Sequence, residues 1–346
     1  MNFNVDMNYL VDTFKTIVNI PSPVGYYIRL NPVLEKIASE LGLSVTYDNK
    51  ATAYITVEGE DSSKTVLFGA HADTLGLVVR HIDNNGMLLV RALGGMVFSS
   101  IEGESVTVCT RDGRTYSGLV ICKSHSGHVF ADSTTLPRDE DTIRILLDED
   151  VHSKEDVKAL GIQNGDYICV DPHCEITENG YIKSRYIDDK GAIACSFAAL
   201  KYITENNLKP KYNTVFAFPY GEEIGFGGTY VPQGVSEYIA IDIGLIGPEL
   251  EGSERKVSIC AKDAASTYHY ELTSHLIELA QKAGCDYAVD VYYRYGTDAH
   301  AAIRAGNDLR DATFGMAVYC SHGRERTHLK GLENTAKLLL AYMLNG

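Results

Sequence analysis

The chain has 346 residues, enough for about two domains and for a core that needs no disulfide or structural metal. Hydrophobic residues make up 45% and charged residues 22%, which is typical of a globular protein and excludes a disordered or fibrous chain. The formal net charge is −15 and no run of Lys or Arg interrupts it, so we expect no nucleic-acid partner.

The N-terminal segment lacks the basic region of a signal peptide, and Asp6 and Asp12 interrupt its apolar residues. The longest apolar stretches, residues 192–200 and 338–344, are far shorter than the ~20 residues that a membrane helix needs, so we expect no membrane partner. None of the eight cysteines forms a CxxC pair, which argues against a zinc ribbon. We therefore expect reduced thiols in a cytoplasmic protein.

The predicted elements change character twice along the chain. Apolar spacings of three and four predict helices over residues 5–20 and 30–43, and strands follow at 44–47, 53–57 and 65–68. Short β-type runs separated by turn signals then indicate a small antiparallel barrel or sandwich. These runs are residues 77–82, 87–90, 105–109, 118–122 and 167–170.

After residue 183, helices and strands alternate, which predicts a largely parallel α/β sheet with helices on its faces. The predicted helices are residues 193–206, 274–284, 299–305 and 333–344, and the strands are 214–218, 238–243, 288–292 and 314–319. The fold class is therefore α/β, with an α/β domain at 1–76 and 171–346 and a small β-domain inserted at 77–170.

Five apolar β-runs of the α/β domain each lead to residue types that bind metals. Loops that follow the carboxyl ends of strands converge at one crevice of an open α/β sheet, so these side chains are expected to meet there. They are His71 with Asp73, Asp188 with Asp189, Glu222 with Glu223, Asp242, and His322.

Each of these residues alone has an ordinary explanation. His71 could be a satisfied loop histidine, the Asp188-Asp189 pair could cap the following helix, and Glu222 and Glu223 could be solvated. Asp242 lies inside an apolar run, however, and a buried carboxylate requires a cation or strong hydrogen bonds. Five unrelated coincidences are less plausible than one site.

Imidazoles and carboxylates together suit Zn²⁺, Co²⁺ or Mn²⁺. Five ligands and a spare acid favour two divalent ions per chain, with one carboxylate bridging them and a water shared between them. One of Glu222 and Glu223 would be a ligand, and the other would take a proton from that water and pass it to a leaving amine. Asp73 is spaced to hydrogen-bond a ring nitrogen of His71 and fix its tautomer.

Six motifs in one order resemble the tetrahedral aminopeptidase family of dinuclear metallopeptidases, which includes glutamyl aminopeptidases and proteins called endoglucanases. They are GAHAD at 69–73, IDDKG at 187–191, GEEIG at 221–225, AID at 240–242, GTDA at 296–299 and SH at 321–322. The stretch GLENTAKLL at 331–339 is also similar, so the resemblance covers nearly the whole chain.

The resemblance implies a role for each residue. One ion takes His71, Asp188 and Asp242, and the other takes Asp188, Glu223 and His322. Glu222 is the general base and Asp73 the supporting carboxylate. The implied fold is an αβα peptidase domain with an inserted β-barrel that assembles dimers into a dodecamer, and the implied substrates are peptides trimmed from the N-terminus.

The chain departs from the family pattern at two positions. Thr74 stands where the family has Glu, and Lys190 stands where it has Arg. Neither position is a predicted ligand, so only the local electrostatics are affected. His125 and His128 could form a third metal site, but a solvated loop is favoured.

The same ligands would also serve an N-acyl amino acid deacylase or a carboxypeptidase. A glucan hydrolase built on Glu222 and Glu223 is disfavoured, because its two carboxyls must face each other across the bond at ~5–9.5 Å. An inactive metal-binding scaffold is disfavoured because Glu222 is present.

The GTDA loop and the residues before it could shape a substrate pocket. Gly296, Thr297 and Asp298 are predicted substrate-binding residues. Arg294 could pair with an acidic substrate side chain or form a surface salt bridge. The sequence does not select the preferred N-terminal residue.

Overall fold

The computed structural model describes Met1 and residues 3–346, and it divides into two compact units. The first comprises Met1–Asp73 with His173–Gly346, and the second comprises Thr74–Pro172. The insertion predicted at 77–170 lies inside the second unit. Within the described residues, no helix combines the length and apolar character needed to cross a membrane.

The first unit is built on a nine-stranded sheet. Its central strands are almost continuously buried, as is typical of strands covered on both faces. The strands are β1 (Val45–Tyr47), β2 (Ala53–Val57), β3 (Asp61–Gly69), β12 (Tyr212–Phe218), β13 (Val235–Ile241), β14 (Gly244–Leu245), β15 (Val257–Lys262), β16 (Tyr287–Val291) and β17 (Arg310–Val318).

The sheet order is β1-β2-β12-β3-β13-β17-β15-β16, with β14 paired to β17. The neighbours from β12 through β17 are parallel, whereas the β1-β2, β2-β12 and β15-β17 pairs are antiparallel. The sheet is therefore mixed and largely parallel, which confirms the predicted fold class.

Helices cover both faces of this sheet. On one face, Ala299 and Ala302 of α6 pack on a cluster that includes Leu67 and Tyr238. On the other face, the ring of Phe197 in α4 stacks on the ring of Phe218 in β12. Tyr342 of α7 contacts the ring of Phe68 in β3 on the same face. The helices are α1 (Met7–Val18), α2 (Asn31–Glu40), α4 (Ile187–Glu205), α5 (Tyr270–Lys282), α6 (Asp298–Arg304) and α7 (Leu329–Asn345).

A separate antiparallel sheet has three strands, of which two precede α4 in the chain and the third precedes α7. It consists of β10 (Glu175–Ile176), β11 (Tyr181–Ser184) and β18 (Glu325–His328), with β11 in the middle. Because β11 leads into α4 and β18 leads into α7, the pairing holds the starts of these two helices together.

The second unit is a closed antiparallel barrel with its own apolar core. Inward and outward side chains alternate along most strands, as expected for a two-sided sheet. In spatial order the strands are β4 (Gly76–Ile82), β5 (Leu88–Leu93), β8 (Ile143–Leu147), β7 (Thr115–Cys122), β6 (Ser105–Cys109) and β9 (Tyr167–Val170), and a short helix α3 (Lys154–Ala159) precedes β9.

Several elements were not predicted, and others were predicted too short. The prediction missed β8, β10, β14, β15, β18 and α3. Helix α4 begins at Ile187 rather than residue 193, although Asp188 and Asp189 depart from helical backbone angles. Polar or charged residues surround β8, β15 and β18, so their local pattern is weak, and pairing with distant strands decides their structure.

The parallel pairing brings the loops after β3 and β12 side by side. Directly after β3, the Ala70 N–H donates to the Ala217 carbonyl of β12 at 3.0 Å. The Ala72 N–H likewise donates to the Pro219 carbonyl at 2.7 Å. The main chain on either side of His71 is therefore fixed against the strand that leads to Glu222.

Close packing at Gly315 generates a stability prediction. A Cβ atom at this β17 position would overlap the Asp242 carbonyl oxygen, which is main chain and cannot move aside. We expect Gly315→Ala to lower the free energy of unfolding by about 1–3 kcal/mol, the usual cost of overpacking. The control is Gly247→Ala, where the nearest atom lies 3.8 Å away. Equal thermal midpoints for the two variants would contradict this packing argument.

Candidate metal centre and active site

His71 lies after β3 and is almost fully buried. Its Nε2 is 2.9 Å from Asp188 Oδ1, and its Nδ1 is 2.9 Å from the Asp73 carbonyl oxygen. Because a carbonyl only accepts, Nδ1 carries a proton, so Nε2 is the nitrogen that would give up its proton and offer a lone pair to a metal ion. Nε2 is the atom that faces the neighbouring acids.

Asp188 lies between the two predicted histidine ligands. While its Oδ1 faces His71, its Oδ2 is 3.9 Å from Nε2 of His322. The same His322 nitrogen is 3.5 Å from Glu223 Oε2. One carboxylate thus presents an oxygen to each imidazole, which is the arrangement that a bridging ligand requires.

Glu222 and Glu223 lie on a 3₁₀ turn that follows β12. Oε2 of Glu222 is 3.8 Å from Nε2 of His71, so the two glutamates approach different histidines. Their main-chain N–H groups donate to Oδ1 and Oδ2 of Asp73, each at 3.2 Å. The Asp73 carboxylate therefore holds the turn that carries both glutamates.

This geometry corrects the predicted contact of Asp73. The sequence predicted that its carboxylate would hydrogen-bond the His71 ring, but the nearest carboxylate oxygen is 3.6 Å from Nδ1. The main-chain carbonyl of Asp73 makes the ring contact instead. The reason is that the carboxylate lies under the 3₁₀ turn, where two N–H groups compete for its oxygens.

Asp242 follows β13 and is buried, and its N–H donates to the Phe314 carbonyl of β17 at 3.1 Å. Donor atoms of His71, Asp189 and Asp242 lie within 4.8 Å of one another. The same holds for His71, Asp188 and Glu223. Two overlapping groups of possible ligands thus meet at His71.

The electrostatics of these groups reflect crowded buried acids. Burial raises the pKa of Glu222 and Glu223 well above 4.5, and neighbouring carboxylates add to the effect. Burial and the charge of Asp188 raise the pKa of Asp242 to about 7. Although burial opposes it, His71 holds the pKa of Asp188 below 3.8. A cation placed among these groups would relieve their repulsion.

The donor set fits divalent metal ions. It combines imidazole nitrogens with carboxylate oxygens and includes no thiolate, a chemistry that suits Zn²⁺, Co²⁺ and Mn²⁺. The donor atoms already lie within the spacing of a shared ion, and their side chains are mostly buried. The residues present are therefore those that a divalent-metal centre needs.

Two residues that contribute to this centre were not predicted to do so from the sequence. Asp189 accepts the His71 N–H at 3.1 Å, and its Oδ1 has no hydrogen-bond partner in the described structure. Glu325, on β18, is buried and accepts the Asp188 N–H at 3.0 Å. Glu325 lies between two arginines in the sequence, which is typical of a solvated surface, so nothing in the sequence indicated that it would be buried beside the centre. Asp189 was recognised as part of a pair but received no role.

The four predicted substrate-binding residues are in different surroundings. Thr297 and Asp298 are buried, and Asp298 Oδ1 accepts the Gly228 N–H at 2.6 Å. Gly296 and Arg294 are exposed. Within the described residues Arg294 makes no ion pair, so the surface salt bridge considered for it is absent there.

The remaining sequence features lie outside the donor groups. The Lys190 ammonium group is buried and donates to the Ile20 carbonyl at 2.6 Å, and the Thr74 hydroxyl donates to the Leu75 carbonyl. His125 and His128 are exposed, and neither belongs to a possible ligand group among the residues described. All eight cysteines in that part of the chain are free thiols.

Comparison with known proteins identifies the family. Residues 51–338 match the model of the M42 glutamyl aminopeptidase family. The chain belongs to this family. The aminopeptidase-named protein YhfE of Bacillus subtilis (strain 168) is 38% identical over 334 residues, which cover 96% of both chains. The M42 chain is thus a peptide hydrolase of the aminopeptidase type, and its residues present a divalent-metal centre.

More distant relatives share the fold. Lysyl aminopeptidase of Pyrococcus furiosus is 22% identical, with 96% of each chain covered. The TET1 peptidase of Pyrococcus horikoshii, which can assemble into a tetrahedron or a large octahedral shell, matches with a TM-score of 0.85 at 22% identity. That match covers 97% of this chain and 100% of the other.

Metal addition should stabilise this M42 chain. A ligand that binds only the folded state adds about 2.7 kcal/mol at 100 times its Kd, so saturating Zn²⁺ or Co²⁺ should raise the thermal midpoint of the metal-free protein. Asp188→Asn should lose most of this shift, because Asp188 faces both imidazoles. His125→Ala is the control and should keep it. A full shift in Asp188→Asn would contradict the assignment of the centre.

Proposed function

We propose that two divalent ions bind per chain and that the centre hydrolyses the bond after the N-terminal residue of a peptide. One ion would be held by His71, Asp188 and Asp242. The other would be held by Asp188, Glu223 and His322. The observation that carries this proposal is Asp188, whose two oxygens face different imidazoles at 2.9 Å and 3.9 Å.

Bound ions would polarise the scissile carbonyl and make a water more acidic. Zn²⁺ and Co²⁺ are the first candidates and Mn²⁺ the third, because all three accept mixed imidazole and carboxylate ligands. The donor groups contain no sulfur that would select a softer metal. Activity of the metal-free protein reconstituted with each ion in turn would rank the three.

Glu222 is the proposed general base. Its side chain is 15% exposed, so it reaches the solvent-accessible edge of the centre, and its Oε2 lies 3.8 Å from His71 Nε2. Glu222 would accept a proton from the attacking water and deliver it to the leaving amine nitrogen. Asp73 supports this role by fixing the Glu222 and Glu223 N–H groups.

The loop at Gly296, Thr297 and Asp298, with Arg294 before it, is proposed to border the substrate. Arg294 is exposed and makes no ion pair within the part of the chain described, so it can meet an acidic residue of the peptide. Arg294→Ala should therefore raise KM for a substrate with N-terminal Glu more than for one with N-terminal Leu. Equal changes in KM would contradict charge recognition.

The base and ligand roles within the glutamate pair can be separated. Glu222→Gln should retain the metal content but lower kcat by about 10²-fold or more, the usual loss when a general base is removed. Glu223→Gln should lower the metal content as well. Metal analysis and kinetics on free dipeptides check both variants, and exchanged behaviour would contradict the assignment.

The substrate class has its own test. An aminopeptidase should cleave a free dipeptide and leave its N-acetylated form intact, whereas a deacylase with the same metal centre would do the reverse. Blocking the C-terminus as an amide distinguishes a carboxypeptidase, which would lose activity. Cleavage of the acetylated peptide alone would overturn the aminopeptidase assignment.

The barrel unit is proposed to be the dimerisation and assembly domain, with a dodecamer as the final state. Leu119 of β7 is paired with Leu146 of β8, and both side chains are exposed on the outside of the barrel. Such an adjacent pair of exposed leucines suits a protein interface. The assembling TET1 peptidase of Pyrococcus horikoshii is similar over almost the whole chain.

Assembly predicts a particle several times heavier than one 38.0 kDa chain. Leu119→Lys should shift the mass measured by light scattering towards smaller species, because a charge would be buried in the interface. Leu208→Lys is the matched control, since Leu208 is similarly exposed but lies in the α/β unit. An unchanged mass in Leu119→Lys would exclude this face of the barrel as the interface.

A further inference from the structure

A buried ionic cluster is centred on His300 of α6, and its residues do not belong to the donor groups. Nδ1 of His300 is 2.7 Å from Asp263 Oδ2, and Nε2 is 2.9 Å from Asp311 Oδ2. All three residues are more than nine-tenths buried. The Tyr268 ring stacks on the imidazole with 4.2 Å between centroids and 7° between planes.

The cluster requires a protonated histidine. A neutral imidazole has one N–H group and could donate to only one carboxylate, whereas both nitrogens of His300 lie within hydrogen-bond distance of one. Burial lowers the pKa of His300, but the hydrogen bonds to Asp263 and Asp311 outweigh it and raise the pKa to about 9. His300 is therefore an imidazolium at neutral pH.

A chain of hydrogen bonds leads from this cluster to the GTDA loop. Asp263 Oδ2 accepts the Tyr268 hydroxyl at 3.1 Å. Because that hydroxyl has one proton, its oxygen is free to accept from Thr297 Oγ1, which lies 2.9 Å away. Thr297 precedes α6 as its N-cap residue, so the chain fixes the start of this helix.

The start of α6 in turn holds the loop that carries Glu222 and Glu223. Asp298 Oδ1 accepts the Gly228 N–H at 2.6 Å. A Cβ atom at Gly227 or Gly228 would overlap Asp298, so the two segments are in close contact. The segment between these glycines and the glutamates forms a compact turn, because the Phe226 and Gly227 N–H groups both donate to the Gly221 carbonyl.

We propose that His300, Asp263 and Tyr268 are positioning residues that act through Thr297 and Asp298 to fix the loop of the general base. None of the three belongs to the donor groups. A small displacement of that loop would misplace Glu222, and misplacement of about 1 Å can cost about 10²-fold in rate. The inference rests on the proposed role of Glu222.

Tyr268→Phe tests the chain directly, because it removes the hydroxyl and keeps the ring that stacks on His300. We expect kcat to fall by about tenfold, less than for full misplacement, with KM changed less than about twofold. Thr297→Val should show the same fall in kcat, while Thr297→Ser, which keeps the hydroxyl, should restore kcat. The double variant Tyr268→Phe/Thr297→Val should have a kcat no lower than that of either single variant, because both substitutions break the same chain of hydrogen bonds.

Tyr342→Phe is the control, because it removes another buried hydroxyl that donates to a carboxylate, that of Glu237 at 2.7 Å. It should cost stability and leave kcat and KM unchanged. If kcat of Tyr268→Phe equals that of the wild type, the positioning role is overturned. A rise in KM of Tyr268→Phe with no fall in kcat would also overturn the positioning role, because such a change would indicate contact with the substrate. An active Glu222→Gln would instead overturn the proposed function.

A pH profile supplies a second readout. The groups that face His300 are Asp263, Asp311 and Tyr268, and burial keeps the pKa of Tyr268 well above 10. The network is intact below the raised pKa of His300 and breaks as pH rises through about 9, so kcat of the wild type should fall there. His300→Gln should have a low kcat at neutral pH and lack this decline. The same decline in His300→Gln would overturn the role of the imidazolium.

Discussion

The repulsion among buried carboxylates at one edge of the sheet is the constraint on which the active site depends. His71, Glu223 and Asp242 follow β3, β12 and β13, which run parallel and end at the same edge of the sheet. Asp188 joins them from the start of α4, within the donor group of His71 and Glu223. Apolar strands bury these acids, and ionised acids in such a place need a positive partner. The two imidazoles alone leave an excess of negative charge, which a pair of divalent cations would balance.

Buried acids divide into two kinds around this centre. One kind faces the shared donor space, and the other accepts main-chain N–H groups from the loops that carry the donors. Hydrogen bonds of the second kind fix the loops that carry the donors. Asp73 accepts from Glu222 and Glu223, Glu325 accepts from Asp188, and Asp298 accepts from Gly228. Asp189 belongs to both kinds, because it accepts the main-chain N–H of His71 and also lies in a donor group.

Much of this arrangement could be predicted from the sequence, because apolar runs that end in His, Asp or Glu are local signals and the parallel sheet makes their ends converge. The contacts of Asp73 and Glu325 could not, since they depend on where distant N–H groups come to lie. The strand Ile143–Leu147 was missed for a similar reason, as its partners are far away in the chain. The network at His300 joins residues from three segments, of which only Thr297 belongs to a motif recognised in the sequence.

The central claim is that two ions share the carboxylate of Asp188, and anomalous diffraction from crystals of the Co²⁺-loaded protein tests it most directly. We expect two anomalous peaks per chain, one beside His71 and Asp242 and the other beside Glu223 and His322, with Asp188 contacting both. A single peak, or two peaks with Asp188 bound to neither or to only one, would contradict it.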